Sequence, residues 1–192
     1  MTNTHTNESG RSMIEMLGVL AIIGVLSVGG IAGYSQAMSK FKVSKTTDQV
    51  QTMVTNIRTL FAGQRSYTGL TGENAYTMGI LTDETWDATK KEASNAYGGT
   101  VTLSTADNAH QFVIGYEGIP DDACVRIIMS DWGDSSSGFV GLNVADAASK
   151  IDDKAKMTPT YNTAAKTFPI DLGTAVGACA NDNANVIEWI YR

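Results

Sequence analysis

A single carboxylate at the edge of an unbroken apolar segment constrains this chain more than any other feature. Residues 13–34 are apolar apart from Glu15 and Ser27, and Gly10 and Arg11 stand just before them. As a helix, this segment would measure about 33 Å, which matches a bilayer hydrocarbon core of about 30 Å. An acidic group near hydrocarbon is costly unless it is paired or reaches the interface, so ordinary membrane anchors avoid one. The segment is predicted to be a transmembrane helix whose carboxylate needs a partner.

Glycine is unusually frequent inside this apolar segment. In water, each glycine weakens a helix by about 1 kcal/mol relative to alanine. In a membrane, small residues instead let neighbouring helices approach closely, so the composition favours helix association. The glycines of the segment are Gly18, Gly24, Gly29, Gly30 and Gly33.

A second helical pattern follows the apolar segment. Its apolar residues recur at three- and four-residue spacing and are separated by polar ones, which predicts an amphipathic helix with one buried stripe. Met38 and Phe41 extend the stripe back towards the span, so one helix of about 50 residues is predicted, and Gly63 is its predicted stop. The stripe consists of Val50, Met53, Val54, Ile57, Leu60 and Phe61.

The remainder of the chain alternates turn residues with short strand-like runs. A short helix is predicted over 83–94, and another over 120–131 with Pro120 at its start. Strands are predicted at 100–103, 111–116, 139–144 and 186–191. A long helix followed by several strands predicts an α+β fold, in which a long N-terminal helical spine packs on an antiparallel β-sheet head.

The composition argues against a nucleic-acid partner and limits the possible states of the cysteines. The 192 residues carry a net charge of −6, and Lys and Arg are scattered without a basic cluster, so no nucleic-acid partner is predicted. The two cysteines are Cys124 and Cys179. In a protein whose bulk lies outside the cytoplasm they would form one disulfide, whereas in a cytosolic protein they would be buried free thiols.

Serine-hydrolase chemistry is not supported. Gly133-Asp134-Ser135 lacks the Gly-x-Ser-x-Gly pattern, because Ser137 occupies the position that a glycine should hold. Only His110 lies downstream of the first few residues as a possible base. The stretch is interpreted as a flexible Ser/Gly loop, and the chain is predicted not to be an enzyme.

Metal and cofactor binding are also not predicted. Acidic pairs at 121–122 and 152–153, and the Asn-Asp-Asn run at 181–183, offer oxygen atoms that Ca²⁺ accepts, but none has EF-hand spacing. The solvated-loop interpretation is preferred for all three. The sequence contains no zinc spacing, phosphate-binding glycine loop or nucleotide fingerprint.

Two plainer interpretations of the apolar segment stay open. A secretory signal would use Arg11 as its basic element and a cleavage site near Gly33 or after residues 35–37, but its apolar part would be long and Glu15 would be misplaced. The other is a simple single-span anchor.

The distribution of Lys and Arg around the span predicts the orientation opposite to the one that the cysteines and the downstream domain favour. Lys40, Lys42 and Lys45 follow it and only Arg11 precedes it closely, which by the positive-inside rule places the downstream side in the cytoplasm. The cysteine pair and the larger domain also lie downstream and favour the opposite orientation, which we adopt.

The residues from Gly10 to Leu26, beginning Gly-Arg-Ser-Met-Ile-Glu-Met-Leu, resemble the N-terminal signature of type IV pilins. Residues 112–120 with Cys124 are similar to the head of type IVb pilins of the PilS kind. Residues 178–180 and 185–189 are similar to the end of that head. The likeness covers most of the chain.

The resemblance implies four regions: a leader peptide (1–10), a transmembrane and polymerisation helix (11–34), the amphipathic half of the spine (35–63) and a globular head (64–192). A prepilin peptidase would cut between Gly10 and Arg11 and methylate the new amino terminus on Arg11. Glu15 would become the fifth mature residue. In the family this carboxylate is linked to the amino terminus of an adjacent subunit during assembly.

The resemblance further implies that a disulfide between Cys124 and Cys179 bounds a surface-facing region of the head. The chain would be stored in the bacterial inner membrane and then polymerise with itself into an extracellular pilus for adhesion, conjugation or motility. An assembly platform and an ATPase would supply the energy. One alternative is a minor pilin or type II secretion pseudopilin. Another, of a different class, is a secreted or anchored adhesive domain.

Overall fold

The computed structural model describes residues 9–149, 153–164, 167–182 and 184–192, with side chains from Met13 onward. The chain divides into two compact units, the first ending at Phe41 and the second comprising Lys42–Arg192. The first eight residues of the predicted leader lie outside the described residues, as do Asp152 and Asn183 of the candidate calcium loops.

Helix α1 (Ser9–Phe61) supplies nearly all of the described part of the first unit. Every described side chain from 13 to 37 is exposed. Among the described helices, α1 alone is long and apolar enough to cross a membrane, and the mean hydropathy of its most apolar window is 2.2. No described part of the chain covers this apolar surface.

The part of α1 from Lys42 onward belongs to the second unit, and one side of it is buried. Val50 and Ile57 are fully buried, and Met53, Val54 and Phe61 nearly so, which confirms the amphipathic stripe. Two further predictions about this stripe are wrong. Phe41 is 58% exposed and Leu60 is 45% exposed, so the buried stripe is shorter than the periodicity indicated.

A seven-stranded antiparallel sheet forms the body of the second unit. Its strand order is β1-β2-β3-β4-β7-β5-β6, so the last strand in the chain lies between β4 and β5. The strands are β1 (Trp86–Asp87), β2 (Glu92–Ser94), β3 (Thr100–Ala106), β4 (Gln111–Ile119), β5 (Phe139–Ala145), β6 (Tyr161–Asn162) and β7 (Asn185–Tyr191). Among the described residues there are also three short helices: α2 (Gly72–Thr77) precedes β1, and α3 (Asp121–Ile128) and α4 (Leu172–Ala178) lie between strands. The predicted α+β class and antiparallel sheet are confirmed.

Strand β7 is buried along its whole length. On the face turned to the core, Trp189 packs edge-on against Tyr116, with ring centroids 5.5 Å apart. On the other face the Glu188 carboxylate, only 3% exposed, accepts hydrogen bonds from Ser149 and Asn143. These bonds satisfy a charge that would otherwise be expensive to bury. The segment after β5 therefore covers the outer face of the sheet.

The predicted helix over 83–94 is wrong. The structure places β1, a tight turn and β2 there. The Asp87 carboxylate accepts hydrogen bonds from the backbone N–H groups of Lys90 and Thr89, which lower the pKa of Asp87, and Lys91 adopts a positive φ of 57°. This side-chain capping of the turn competes successfully with helix formation.

Candidate assembly site

Glu15 lies on the exposed apolar part of α1. With about 100° of rotation per residue, Gly33 falls on the same line of the helix as Glu15, five turns further on. Gly18, Gly29 and Gly30 lie within about 60° of that line, whereas Gly24 falls on the opposite side. One helix face therefore combines the carboxylate with four of the five glycines.

The glycines on this face do not pack against any other described part of the chain. A Cβ atom added at Gly18, Gly29, Gly30 or Gly33 would meet no heavy atom within 4 Å. Close packing inside the molecule therefore does not explain them. A smooth surface of this kind instead lets a second helix approach closely.

The large apolar side chains of this helix segment are 52–76% exposed. A soluble monomer rarely exposes more than a few hundred Å² of contiguous apolar surface. This segment therefore requires lipid or other protein chains around it. These side chains are Met13, Ile14, Met16, Leu17, Val19, Leu20, Ile22, Ile23, Val25, Leu26, Val28, Ile31 and Tyr34.

Gly10 and Arg11 lie in the first turn of α1. Only their backbone is described, so the structure offers no side-chain geometry for cleavage or methylation at this peptide bond. Both remain predictions.

A disulfide joins Cys124 of α3 to Cys179, the residue that caps α4. Their Cα atoms are 5.8 Å apart and both residues are buried. This confirms the predicted pairing. On the chain-entropy account, closing a loop of 55 residues stabilises the folded state by about 4 kcal/mol.

Asn185 anchors both ends of the disulfide-bounded region, a role that no local pattern in the sequence indicates. Its side chain is completely buried at the start of β7. The amide nitrogen donates to the carbonyl oxygen of Ile119 (3.0 Å) and to Asp121 (2.6 Å), and its oxygen accepts from Asn181 (2.9 Å). The helix α3 start and the loop after α4 are thereby fixed to the sheet.

The Gly133-Asp134-Ser135 stretch, compared above with a serine-hydrolase motif, forms a turn that its own side chains stabilise. The Asp134 carboxylate accepts hydrogen bonds from the Ser136 hydroxyl (2.6 Å) and from the backbone N–H groups of Ser136 and Ser137. These bonds lower the pKa of Asp134 and close a turn.

Within the described residues, no group of three His, Cys, Asp or Glu side chains is placed to hold a metal ion.

A family model described as PilS N terminal matches residues 40–191, most of the second unit. The chain belongs to the PilS family. This membership, together with the relatives described next, which are structural pilus subunits and not enzymes, confirms the prediction of a type IVb pilin. The matched residues begin near the end of the apolar segment, so the family assignment rests on the amphipathic half of α1 and on the head.

Similar proteins extend the comparison across nearly the whole chain. The chain is 27% identical to the major structural subunit of bundle-forming pilus of Escherichia coli O111:H- over 188 residues, covering 96% of this chain and 95% of that protein. It is 26% identical, over the same shares, to the subunit of that description from Escherichia coli O127:H6 (strain E2348/69 / EPEC). Among solved structures, TcpA, a type IV pilin from Vibrio cholerae El Tor biotype, has a TM-score of 0.48 and 12% identity, covering 79% of this chain and 99% of TcpA.

Proposed function

We propose that this pilin is the repeating subunit of a type IV pilus, polymerised through the helix face that carries Glu15. The observation that supports this most strongly is the exposed apolar part of α1, which combines a carboxylate with four glycines on one face. Heads that keep their own core would coat the outside of such a filament. The E. coli relatives, named as major structural subunits of a pilus, favour an abundant subunit over a minor one.

In this proposal, a prepilin peptidase cuts between Gly10 and Arg11, and the freed amino group on Arg11 is methylated. The amino terminus then stands four residues from Glu15, at the same end of the helix. In a bundle of apolar helices, opposite charges attract much more strongly than in water, while either charge alone is costly. Pairing between the amino terminus of one subunit and Glu15 of its neighbour therefore selects one axial register.

Before assembly, the inner membrane would hold the subunit through residues 13–34. The span length fits the bilayer, and the exposed apolar side chains are satisfied by lipid as well as by protein. Moving the segment from lipid into a filament exchanges one apolar environment for another, so little driving force comes from the hydrophobic effect itself. An assembly ATPase and a membrane platform would supply the directional work.

The first test is Glu15→Gln, which removes the charge and keeps the size, beside Glu92→Gln on the exposed strand β2 of the head. We expect Glu15→Gln to abolish sheared surface filaments while the cellular level of the protein stays unchanged. Glu92→Gln should assemble normally. Normal filaments from the Glu15 variant would refute the proposed charge pairing.

Intact-mass and N-terminal analysis of the sheared material provides the second readout. Abundant chains beginning at N-methylated Arg11 are the expected result. A chain beginning near Tyr34 or Met38 and recovered as soluble protein would indicate a conventional signal peptide and refute the filament role. Rare chains in otherwise abundant filaments would indicate a minor pilin.

A further inference from the structure

Two neighbouring cavities of the head share His110 and Arg192. The larger has a volume of about 320 Å³, and Phe139, Met157 and Pro159 contribute its apolar walls. That volume reaches the lower end of the range for small-molecule sites, about 300–1,000 Å³. We call the two cavities together the C-terminal cleft.

The smaller cavity has a different character. Its volume is about 180 Å³, and polar side chains dominate its lining: Gln64, Arg65 and Ser66 in addition to the two shared residues. Because the two cavities share two lining residues, a larger chamber with apolar walls lies beside a smaller polar one. A ligand that fits both must be amphipathic.

The charge of the C-terminal cleft is opposite to that of the protein. The whole chain carries a net charge of −6. Among the described side chains that line the cleft, Arg65, Lys156 and Arg192 are cationic and only Asp107 is acidic. An anion is therefore attracted to this cleft and repelled by the protein as a whole.

Two arginines near the cleft are held in place. Arg192 donates from its guanidinium to the carbonyl oxygen of Ser135 (3.4 Å). Arg58 lies over the Tyr191 ring, 5.1 Å from its centroid, and donates to the Arg192 carbonyl oxygen (3.3 Å). The contact of Arg192 with Ser135 reduces the conformational entropy that the Arg192 side chain loses when an anion binds.

The walls of the cleft are joined by backbone hydrogen bonds. Asp107, Asn108 and Ala109 all have positive φ angles, between 53° and 61°, in the turn between β3 and β4. Asp107 and Asn108 donate to carbonyl oxygens within 153–155, and the Ala109 carbonyl accepts from the Tyr67 N–H (2.7 Å). Three consecutive non-glycine residues in this conformation are strained and persist only when their surroundings fix them. The backbone of this wall of the cleft is therefore fixed by its hydrogen bonds.

We propose that the C-terminal cleft binds a small organic anion. A single carboxylate, sulfate or phosphate group would be held between Arg65 and Arg192, whose guanidinium groups match oxyanion geometry. An apolar body of about one ring would fill the larger chamber beside Phe139 and Met157. A preformed, mostly apolar cavity with a few convergent polar groups is the usual form of a ligand site.

The probe for this proposal is 4-ethylbenzenesulfonate, with inorganic sulfate and 4-ethylbenzyl alcohol as its charged and apolar halves. Binding is followed through the backbone amide NMR shifts of the full-length protein in neutral detergent, so the result does not depend on filament assembly. We expect saturable shifts at 107–110 and 156–164. Arg65→Gln should weaken binding about tenfold, since it removes a charged hydrogen bond. Lys156→Gln should weaken it less, and Lys90→Gln, in the exposed turn between β1 and β2, should leave it unchanged.

Four results would overturn the proposal. Equal binding of the neutral alcohol would show that charge is irrelevant, and equal binding of inorganic sulfate would show that the apolar chamber is irrelevant. Shifts confined to residues 13–34 would show that the probe enters the micelle and not the cleft. Finally, if Arg65→Gln and Lys156→Gln cells lack filaments while Lys90→Gln cells make them, the cleft is a contact between subunits. Normal filaments from all three variants, together with weakened probe binding by Arg65→Gln and Lys156→Gln, would support the anion-binding proposal.

Discussion

The two halves of α1 present the same kinds of side chain to opposite environments. Ile57 is completely buried in the core of the second unit, whereas Ile23 is 53% exposed in the first. The head therefore obtains its stability from contacts within one chain, whereas the described residues provide no such contacts for the apolar segment, which is left to lipid or to other chains. Within one continuous helix, the second half is therefore stabilised by its own chain and the first half by its surroundings.

The substitution with the largest expected effect on the free energy of unfolding concerns the head alone. Cys124→Ala with Cys179→Ala removes the only disulfide and should lower the free energy of unfolding by about 4 kcal/mol. Urea unfolding of the full chain in detergent, followed by tryptophan fluorescence, measures this, because Trp132 and Trp189 are both buried in the head. The helicity of residues 13–34 should persist after the head has unfolded. Simultaneous loss of both would contradict the independence of the two units.

A matched pair of substitutions in α1 gives the next largest effect. Ile57→Ala should cost roughly 3 kcal/mol in unfolding free energy, because it leaves a cavity in the core. Ile23→Ala removes the same atoms from a surface that the chain does not cover, so the same urea experiment should show a change below about 0.5 kcal/mol. Filaments of Ile23→Ala should instead dissociate at a lower temperature. An equal cost for both substitutions in the unfolding experiment would refute the comparison.

The smallest effect distinguishes the two faces of the apolar segment. Gly24→Ala and Gly29→Ala each increase helix propensity by about 1 kcal/mol. Only Gly29 lies near the line of Glu15, so only Gly29→Ala should obstruct the approach of a neighbouring helix and lower the dissociation temperature of sheared filaments. Gly24→Ala should leave it unchanged or raise it. Equal behaviour of the two variants would mean that the Glu15 face is not the contact face.

Sequence periodicity predicted the long elements because their signals are local. The apolar run, the stripe from Val50 to Phe61 apart from Leu60, and the four principal strands match the structure in position, although the strands β3 and β4 extend further than the apolar residues indicated. For the helices and strands, a few neighbouring residues carry the information. The disulfide was predicted differently, from the presence of two cysteines in a chain whose bulk lies outside the cytoplasm.

The short elements were missed because long-range contacts decide them. Helices α2 and α4 have only 6 and 7 residues. Thr71 and Asp171 cap them by accepting from Asn74 and Thr174, a signal that the sequence does contain. Asn185 and the C-terminal cleft gave no local signal at all. Their function depends on groups more than 40 residues away in the chain, such as Ile119 and Asp121 for Asn185.

Strand β7 lies in the middle of the sheet although it is made last of the seven. Until residues 185–191 are available, β4 has no partner on one side and β5 has none on that edge, so the sheet exists only as separate pieces. A chain that crosses a membrane from its amino-terminal end would therefore spend its whole translocation with unpaired strand edges. Maturation of the head is then a single late event, and the time for which the subunit is prone to aggregate is set by the rate at which residues 185–191 emerge.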